Sequence, residues 1–356
     1  MIKLLIVDDS ALMRKHLVGL FEREGDFTIR TARTGLDALS ELAAFQPDVV
    51  SLDINMPEMD GLTALSRIMI EHPCPVVMVS SLTEKGALAT LEALSLGAVD
   101  FICKPGGTIS LSIESIHAEL VSKVRSAATA KFRKARGLAE RIRRQNRLTP
   151  EPVKKPVESR PRSRATASGV VLIGVSTGGP RTLEDILPYL PADFPWPVIV
   201  AQHMPANFTA PFAKRLDGLC PLSVMEISRP TPLEPGMIGI GRGGADVILS
   251  RRAGGMVALS QPENRNYLWH PSVELLVRSG LEHYPADRII GVMLTGMGYD
   301  GADAMAEVRQ RGGRTVAEAE STAVVFGMPA ELISRGGATV IAPCDQIANH
   351  LLRWLL

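Results

Sequence analysis

Five polar residues in the first third of the sequence stand where short aliphatic runs stop. Asp8 and Asp9 follow Lys3–Val7, Asp53 follows Asp48–Leu52, Ser80 follows Val76–Val79, and Lys104 comes just after Val99–Ile102. Carboxylates brought together repel, and their pKa values rise unless a cation neutralises them. An all-oxygen set of this kind suits a hard divalent ion, Mg²⁺ before others. Such a site can hold a phosphoryl group between the metal, the Lys104 ammonium and the Ser80 hydroxyl, with a carboxylate as nucleophile. The plainer alternative is that Asp8 and Asp9 only cap the next helix. That alternative leaves a lysine and a hydroxyl at two other strand ends unexplained.

A second set lies in the last half. Val170–Val175 ends in Gly174-Val175-Ser176-Thr177-Gly178-Gly179-Pro180, a glycine-flanked serine at a strand-to-helix turn. The G-x-S-x-G spacing fits a hydrolase elbow, but a glycine-rich turn at a helix N-terminus equally suits a phosphate or nucleotide. Two further strand ends favour the hydrolase. Pro197–Ala201 is followed by Gln202-His203-Met204-Pro205, and Ile289–Leu294 by Thr295-Gly296-Met297-Gly298-Tyr299-Asp300-Gly301. In a parallel sheet these ends share an edge, which brings Ser176, His203 and Asp300 together in that chain order. The α/β-hydrolase order is Ser…Asp…His, so a different fold with the same triad logic is expected. His203 as general base would contribute roughly 10²–10⁴ in rate, with Asp300 fixing its tautomer. The glycines around Met297 free backbone N–H groups for an oxyanion, about 3–4 kcal/mol per donor.

The elements that must position these residues follow from the hydrophobic pattern. Aliphatic runs, including Thr28–Thr31, alternate with amphipathic stretches such as Ala11–Glu24 and Gly86–Leu96. Five β/α units in about 120 residues predict a flavodoxin-like, doubly wound parallel sheet with its chemistry beyond the carboxyl strand ends. The net charge of +1 is unevenly spread: −8 over residues 1–120, +10 over 131–164 and −3 over 165–356. The basic Pro/Arg-rich block reads as a partly helical, then disordered tether that divides the chain. Its one aromatic, Phe132, is too little for a base-stacking surface, so no nucleic-acid partner is expected. The longest apolar runs fall well short of the roughly 20 residues needed to span a bilayer, and Val7 runs straight into two aspartates, unlike a secretory signal. Cys74, Cys103, Cys220 and Cys344 are scattered without zinc or redox spacing, which points to a reduced, cytoplasmic setting.

IVDDS, LDINMPEMDGL, PVVMVSS and GAVDFICKP resemble the motifs of two-component response-regulator receiver domains. The resemblance implies phosphorylation at Asp53, with Mg²⁺ held by Asp8, Asp9, Asp53 and the Asn55 carbonyl. It also implies Ser80 as the switch hydroxyl, Lys104 as the phosphate-sensing lysine before a cis bond to Pro105, and Phe101 as the aromatic that repacks. GVSTGGP, AQHMPANFTAPFAKRL, MLTGMGYDGA and VVFGMPAE resemble the catalytic domain of chemotaxis protein-glutamate methylesterases, which are also glutamine deamidases. That resemblance implies an α/β parallel sheet with a small antiparallel hairpin, matching the shorter alternating runs at 222–260. It makes Ser176 the nucleophile with Thr177 beside it, His203 the base, Asp300 the orienting acid and the Met297 N–H an oxyanion donor, with no cofactor for the esterase.

The expected division is a receiver over 1–124, a linker over 125–167 and a catalytic domain over 168–356. The implied partners are methyl-accepting chemoreceptors as substrate and a chemotaxis histidine kinase as phosphodonor, met at membrane-bound receptor arrays without membrane insertion. The sequence departs from the family at Ile240-Gly241-Arg242-Gly243, where an Ala-Pro-Gly turn is frequent, and at Trp269-His270-Pro271-Ser272, where His-Arg-Pro-Ser is frequent. His270 reads as either a substrate contact or a structural residue. Two rival functions remain at this level: a DNA-binding response regulator, disfavoured by the acidic tail, and a scaffold without chemistry.

Overall fold

A computed structural model describes residues 1–81, 83–104, 109–130 and 167–355, with the side chains of Glu84 and 109–115 excepted. Pro105 and the whole basic block lie outside the described residues. The first unit alternates β1 (Ile2–Val7), α1 (Ala11–Glu24), β2 (Phe27–Ala32), α2 (Gly35–Phe45), β3 (Val49–Asp53), α3 (Gly61–Glu71), β4 (Val76–Ser81), α4 (Glu84–Leu96), β5 (Asp100–Lys104) and α5 (Ile109–Ala128). The strands are parallel in the order β2-β1-β3-β4-β5, so the doubly wound expectation holds. Local chemistry starts and stops the helices. Ser10, Thr34, Asp60 and Thr83 each accept a backbone N–H three residues on, and Gly25 and Gly97 close α1 and α4 in the left-handed region. β4 and β5 run two residues further than their aliphatic cores suggest, through the pairs Ser80–Cys103 and Ser81–Lys104. Ser80 and Lys104 therefore sit inside the last rungs of the ladder.

The second unit is built on seven parallel strands in the order β15-β14-β13-β6-β7-β10-β8. Its centre is β13 (Ile289–Met293), β6 (Val170–Val175) and β7 (Val198–Gln202), all fully buried, as strands covered on both faces must be. Flanking them are β14 (Arg314–Glu318), β15 (Val340–Ala342), β10 (Met237–Gly241) and β8 (Ser223–Ile227). The helices are α6 (Gly179–Ile186), α7 (Ala206–Leu219), α8 (Val273–His283), α9 (Ala302–Gln310), α10 (Met328–Ser334) and α11 (Cys344–Leu355). The small antiparallel sheet is β11 (Asp246–Arg252) paired with β12 (Gly255–Gln261), plus the short β9 (Thr231–Pro232). The runs at 222–260 thus divide, since β8 and β10 extend the parallel sheet and only the later strands form the hairpin.

The two units share one apolar cluster. Ala87, Leu91, Leu94 and Phe101 of the first unit belong with Phe208 and Phe212 of the second, and α4 packs on α7 and α6. Phe101 stacks on Phe208 with centroids 4.5 Å apart. Among the described residues, no helix is long and apolar enough to cross a membrane.

Candidate active site

At the carboxyl edge of the first sheet, Asp8 and Asp53 are buried and Asp9 is exposed. Their nearest carboxylate oxygens lie within 4.8 Å of one another. Lys104 Nζ is 2.7 Å from Asp53 Oδ2 and 3.0 Å from Asp8 Oδ2. Burial pushes the Asp53 carboxyl above its ordinary range against the pull of Lys104. Burial also works against the Lys104 charge, but Asp53 and Asp8 outweigh it and raise the ammonium above the usual lysine range. Asp8 Oδ2 is buried and meets only the Lys104 ammonium, which it shares with Asp53. A surplus of buried carboxylate oxygen fits a hard divalent cation. Asn55 lies beside the site, its N–H 3.4 Å from Asp53 Oδ1.

Ser80 follows Val79, the strand partner of Asp53. Its buried hydroxyl accepts from Thr90 Oγ1 at 2.7 Å and donates toward the Gly86 carbonyl, both on α4. Phe101 is also buried, against the second unit.

In the second sheet, register does the positioning. Gly174 pairs with Met293 and Val175 with Gln202, so the next residues of three adjacent strands come level. The ladder then continues by Leu294 N–H to Gly174 O, Ser176 N–H to Thr295 O and His203 N–H to Val175 O. Ser176 is thereby held between the His203 strand and the 295–300 loop. The loop must approach closely, because a Cβ on Gly296 would lie 2.6 Å from Ser176 Cβ. Behind the edge, buried Gln202 donates to the Ser176 and His203 carbonyls at 2.9 and 3.1 Å. Buried Glu318 accepts the Thr295 N–H at 2.8 Å, and Thr295 Oγ1 donates to the Thr177 carbonyl at 2.9 Å.

Asp300 Oδ2 accepts from His203 Nε2 at 2.8 Å and from Val273 N–H at 2.7 Å, while Oδ1 accepts from Ser272 Oγ at 3.1 Å and Glu274 N–H at 2.9 Å. The amides belong to the first turn of α8, where unpaired N–H groups favour an anion. Four donors fill the four lone-pair positions of a carboxylate, so Asp300 only accepts and Nε2 carries the imidazole proton. His203 Nδ1 is buried and has no partner, which leaves its lone pair free. The ring contacts Trp269 in a parallel stack, centroids 5.9 Å apart and planes 6° from parallel. His270, left open between two roles by its sequence, is tied by Nδ1 to fully buried Asp246 at 2.9 Å. Asp246 also accepts the Asn264 and Ser272 N–H groups. The departing 240–243 turn abuts this edge too, since a Cβ on Gly243 would lie 2.1 Å from the Met204 carbonyl.

The first unit covers this edge. Asp100 Oδ2 accepts from Thr177 Oγ1 at 2.5 Å, and Ser122 and Ser126 of α5 point their hydroxyls at Met297 Sδ. Lys123 braces Asp100 at 3.4 Å and donates to the Phe101 carbonyl at 2.8 Å. Burial opposes the Lys123 charge, but Asp100 and Glu119 outweigh it and raise the ammonium. Sequence reasoning missed Gln202, Asp246, Ser272, Glu318 and Asp100. Of these, Gln202 and Asp100 had a usable signal, being adjacent to His203 and Phe101.

A buried carboxylate cluster with its lysine on a doubly wound sheet, packed over an edge that gathers a serine, a histidine and an aspartate, has the build of a response regulator with a hydrolase-like output domain. Known proteins narrow the class. The response regulator receiver domain model matches residues 4–113 and the CheB methylesterase model matches residues 171–351. The chain is 58% identical to protein-glutamate methylesterase/protein-glutamine glutaminase 2 of Rhodopseudomonas palustris, over 99% of this chain and 98% of that protein. It is 57% identical to protein-glutamate methylesterase/protein-glutamine glutaminase 3 of Rhodospirillum rubrum, over 100% and 96%. The crystal structure of the Thermotoga maritima CheB methylesterase catalytic domain covers 53% of this chain and 99% of its own, at 36% identity and a TM-score of 0.51. The chain belongs to the CheB methylesterase family, with a receiver domain at its N-terminal end.

Proposed function

We propose that this chain is a phosphorylation-activated esterase that hydrolyses glutamyl methyl esters, and deamidates glutamines, on chemoreceptors in chemotactic adaptation. The observation that carries the reading is the level register of β13, β6 and β7, which sets Ser176 beside a His203–Asp300 pair whose Nδ1 is free. Ser176 Oγ attacks the ester carbonyl as Nδ1 takes its proton, and the Met297 N–H faces the oxyanion. The imidazolium then protonates the leaving methoxide, methanol departs, and a glutamyl ester of Ser176 remains. Water, deprotonated at Nδ1, attacks that ester, and the imidazolium returns the proton to the departing Ser176 Oγ, which frees glutamate and restores the neutral histidine. With a glutamine the leaving group is ammonia. Every proton transfer in these steps begins or ends on His203, so the esterase reaction requires no cofactor.

In the receiver, Asp53 is the phosphate acceptor. Asp8, Asp9, Asp53 and the Asn55 carbonyl would hold Mg²⁺, which supplies charge neutralisation for the transfer. Lys104 offers a second cation to the incoming phosphoryl group. At rest Asp100, Phe101, Ser122 and Ser126 cover the Ser176 edge, and phosphorylation by a histidine kinase weakens that packing. The expected setting is the cytoplasmic side of receptor arrays, within 1–124 as receiver and 168–356 as catalytic domain. Methanol release from methylated receptor membranes tests the reading. Ser176→Ala should abolish release, and Asp53→Asn should release at the resting rate with or without phosphodonor. Equal release by Ser176→Ala and wild type would remove the mechanism.

A further inference from the structure

We propose that Trp269 is a positioning residue for His203, holding its ring plane so that Nδ1 meets Ser176. The inference rests on the reading of Ser176, His203 and Asp300 given above. Asp300 grips the imidazole at its far nitrogen, Nε2, through one hydrogen bond. Such a bond keeps most of its strength over tens of degrees of misalignment, so it does not by itself stop the ring from turning about its bond to Cβ. That turn swings Nδ1 away from the serine. The indole lies 6° from parallel to the ring and removes this freedom. Its π face also favours the positive charge that appears on the imidazole when it takes the serine proton.

The indole is itself held. Tyr299 meets it edge-on with centroids 5.2 Å apart. Gly298 fits beneath it only because it lacks a Cβ, which would come within 2.7 Å of the indole ring. Next in sequence, His270 is fastened to buried Asp246. Trp269 thus touches the base on one side and the loop bearing Met297 and Asp300 on the other. It is only half-buried and stands outside the core clusters, so fold stability does not account for its place.

The test uses the full chain, activated with a small acyl phosphate, in single-turnover methanol release from methylated receptor membranes. Trp269→Ala should slow the chemical step about tenfold with half-saturation by receptor changed less than twofold. Trp269→Phe should return to within threefold of wild type, and Trp269→Leu, which keeps bulk without a π face, should not. In a His203→Ala background, Trp269→Ala should cost nothing more. A tenfold loss that persists without His203, or a loss confined to half-saturation, would overturn the proposal. Wild-type release by His203→Ala alone would instead overturn the catalytic reading beneath it. Equal thermal midpoints for the Trp269 variants establish that each comparison is between folded proteins.

Discussion

Thr177→Val is the sharpest perturbation of the interface between the two units. Valine keeps the shape of threonine but cannot donate to Asp100 Oδ2, which now receives that hydroxyl at 2.5 Å. Asp100 would keep the Phe101 N–H at 2.7 Å and Lys123 at 3.4 Å, with one buried lone pair left unmatched. A hydrogen bond to a charged group contributes about 1.5–3 kcal/mol. At about 1.4 kcal/mol per factor of ten, the covered state should lose roughly 10- to 150-fold in population relative to the open one. Unphosphorylated Thr177→Val should therefore release methanol at least tenfold faster than unphosphorylated wild type. The phosphorylated rate, already that of the open form, should change less than about twofold. Asp100→Ala should raise the resting rate as well, and because both changes remove one bond, the double variant should be no faster than the faster single. An unchanged ratio of phosphorylated to resting rate in Thr177→Val would refute the reasoning, as would multiplicative effects in the pair.

Three other outcomes follow from the geometry. Gly296→Ala would place a Cβ 2.6 Å from both Ser176 Cβ and Met328 Sδ; overpacking of this kind costs about 1–3 kcal/mol, so thermal unfolding should shift down and methanol release should fall more than tenfold even with phosphodonor. Asp300→Asn turns an NH₂ group toward the ring or its amide neighbours and upsets the tautomer, so release should drop by about 10⁴-fold, the scale seen when a triad carboxylate becomes an amide. Burial pushes the thiols of Cys74, Cys103 and Cys220 up to about 12; at pH 8 only about one in 10⁴ is thiolate, so iodoacetamide should label them after denaturation and not before, as read by intact mass.

What the sequence disclosed was what neighbouring residues decide. Asp53, Ser176 and His203 are legible because each ends an aliphatic run, and a parallel sheet gathers such ends on one edge. The partners of Asp300 were not legible, since Ser272, Val273 and Glu274 reach it from α8, 26–28 residues earlier in the chain. The choice of imidazole nitrogen follows from that distant helix. Ser80 could be placed at a strand end, but its hydroxyl is turned by Thr90 and the Gly86 carbonyl on the next helix. β8 reads like a hairpin strand because a short half-buried run has the same alternation whether its neighbour is parallel or antiparallel, and β10, buried throughout, is too short for its pattern to show which way its neighbours run.

The interface explains how one small displacement can reach the hydrolytic edge. Lys104 and Asp100 are the two ends of β5, a strand of five residues. One end lies 2.7 Å from Asp53 Oδ2, and the other holds Thr177, next to Ser176. Phe101, beside Asp100, stacks on Phe208 of α7, the helix that follows His203. At about 3.3 Å per residue the two ends of β5 stand about 13 Å apart on one continuous strand, paired with β4 from Asp100 to Lys104. On the proposed phosphorylation of Asp53, the phosphoryl group would take the Lys104 ammonium from the oxygen it now meets, and the shift would pass along β5 to Asp100 and Phe101. Those contacts are packed to fit one arrangement, and a well-packed interface separates rather than stretches. Lys104→Ala isolates this link. The substitution leaves the proposed acceptor Asp53 in place but takes away its contact with β5, so phosphodonor should raise methanol release far less than in wild type.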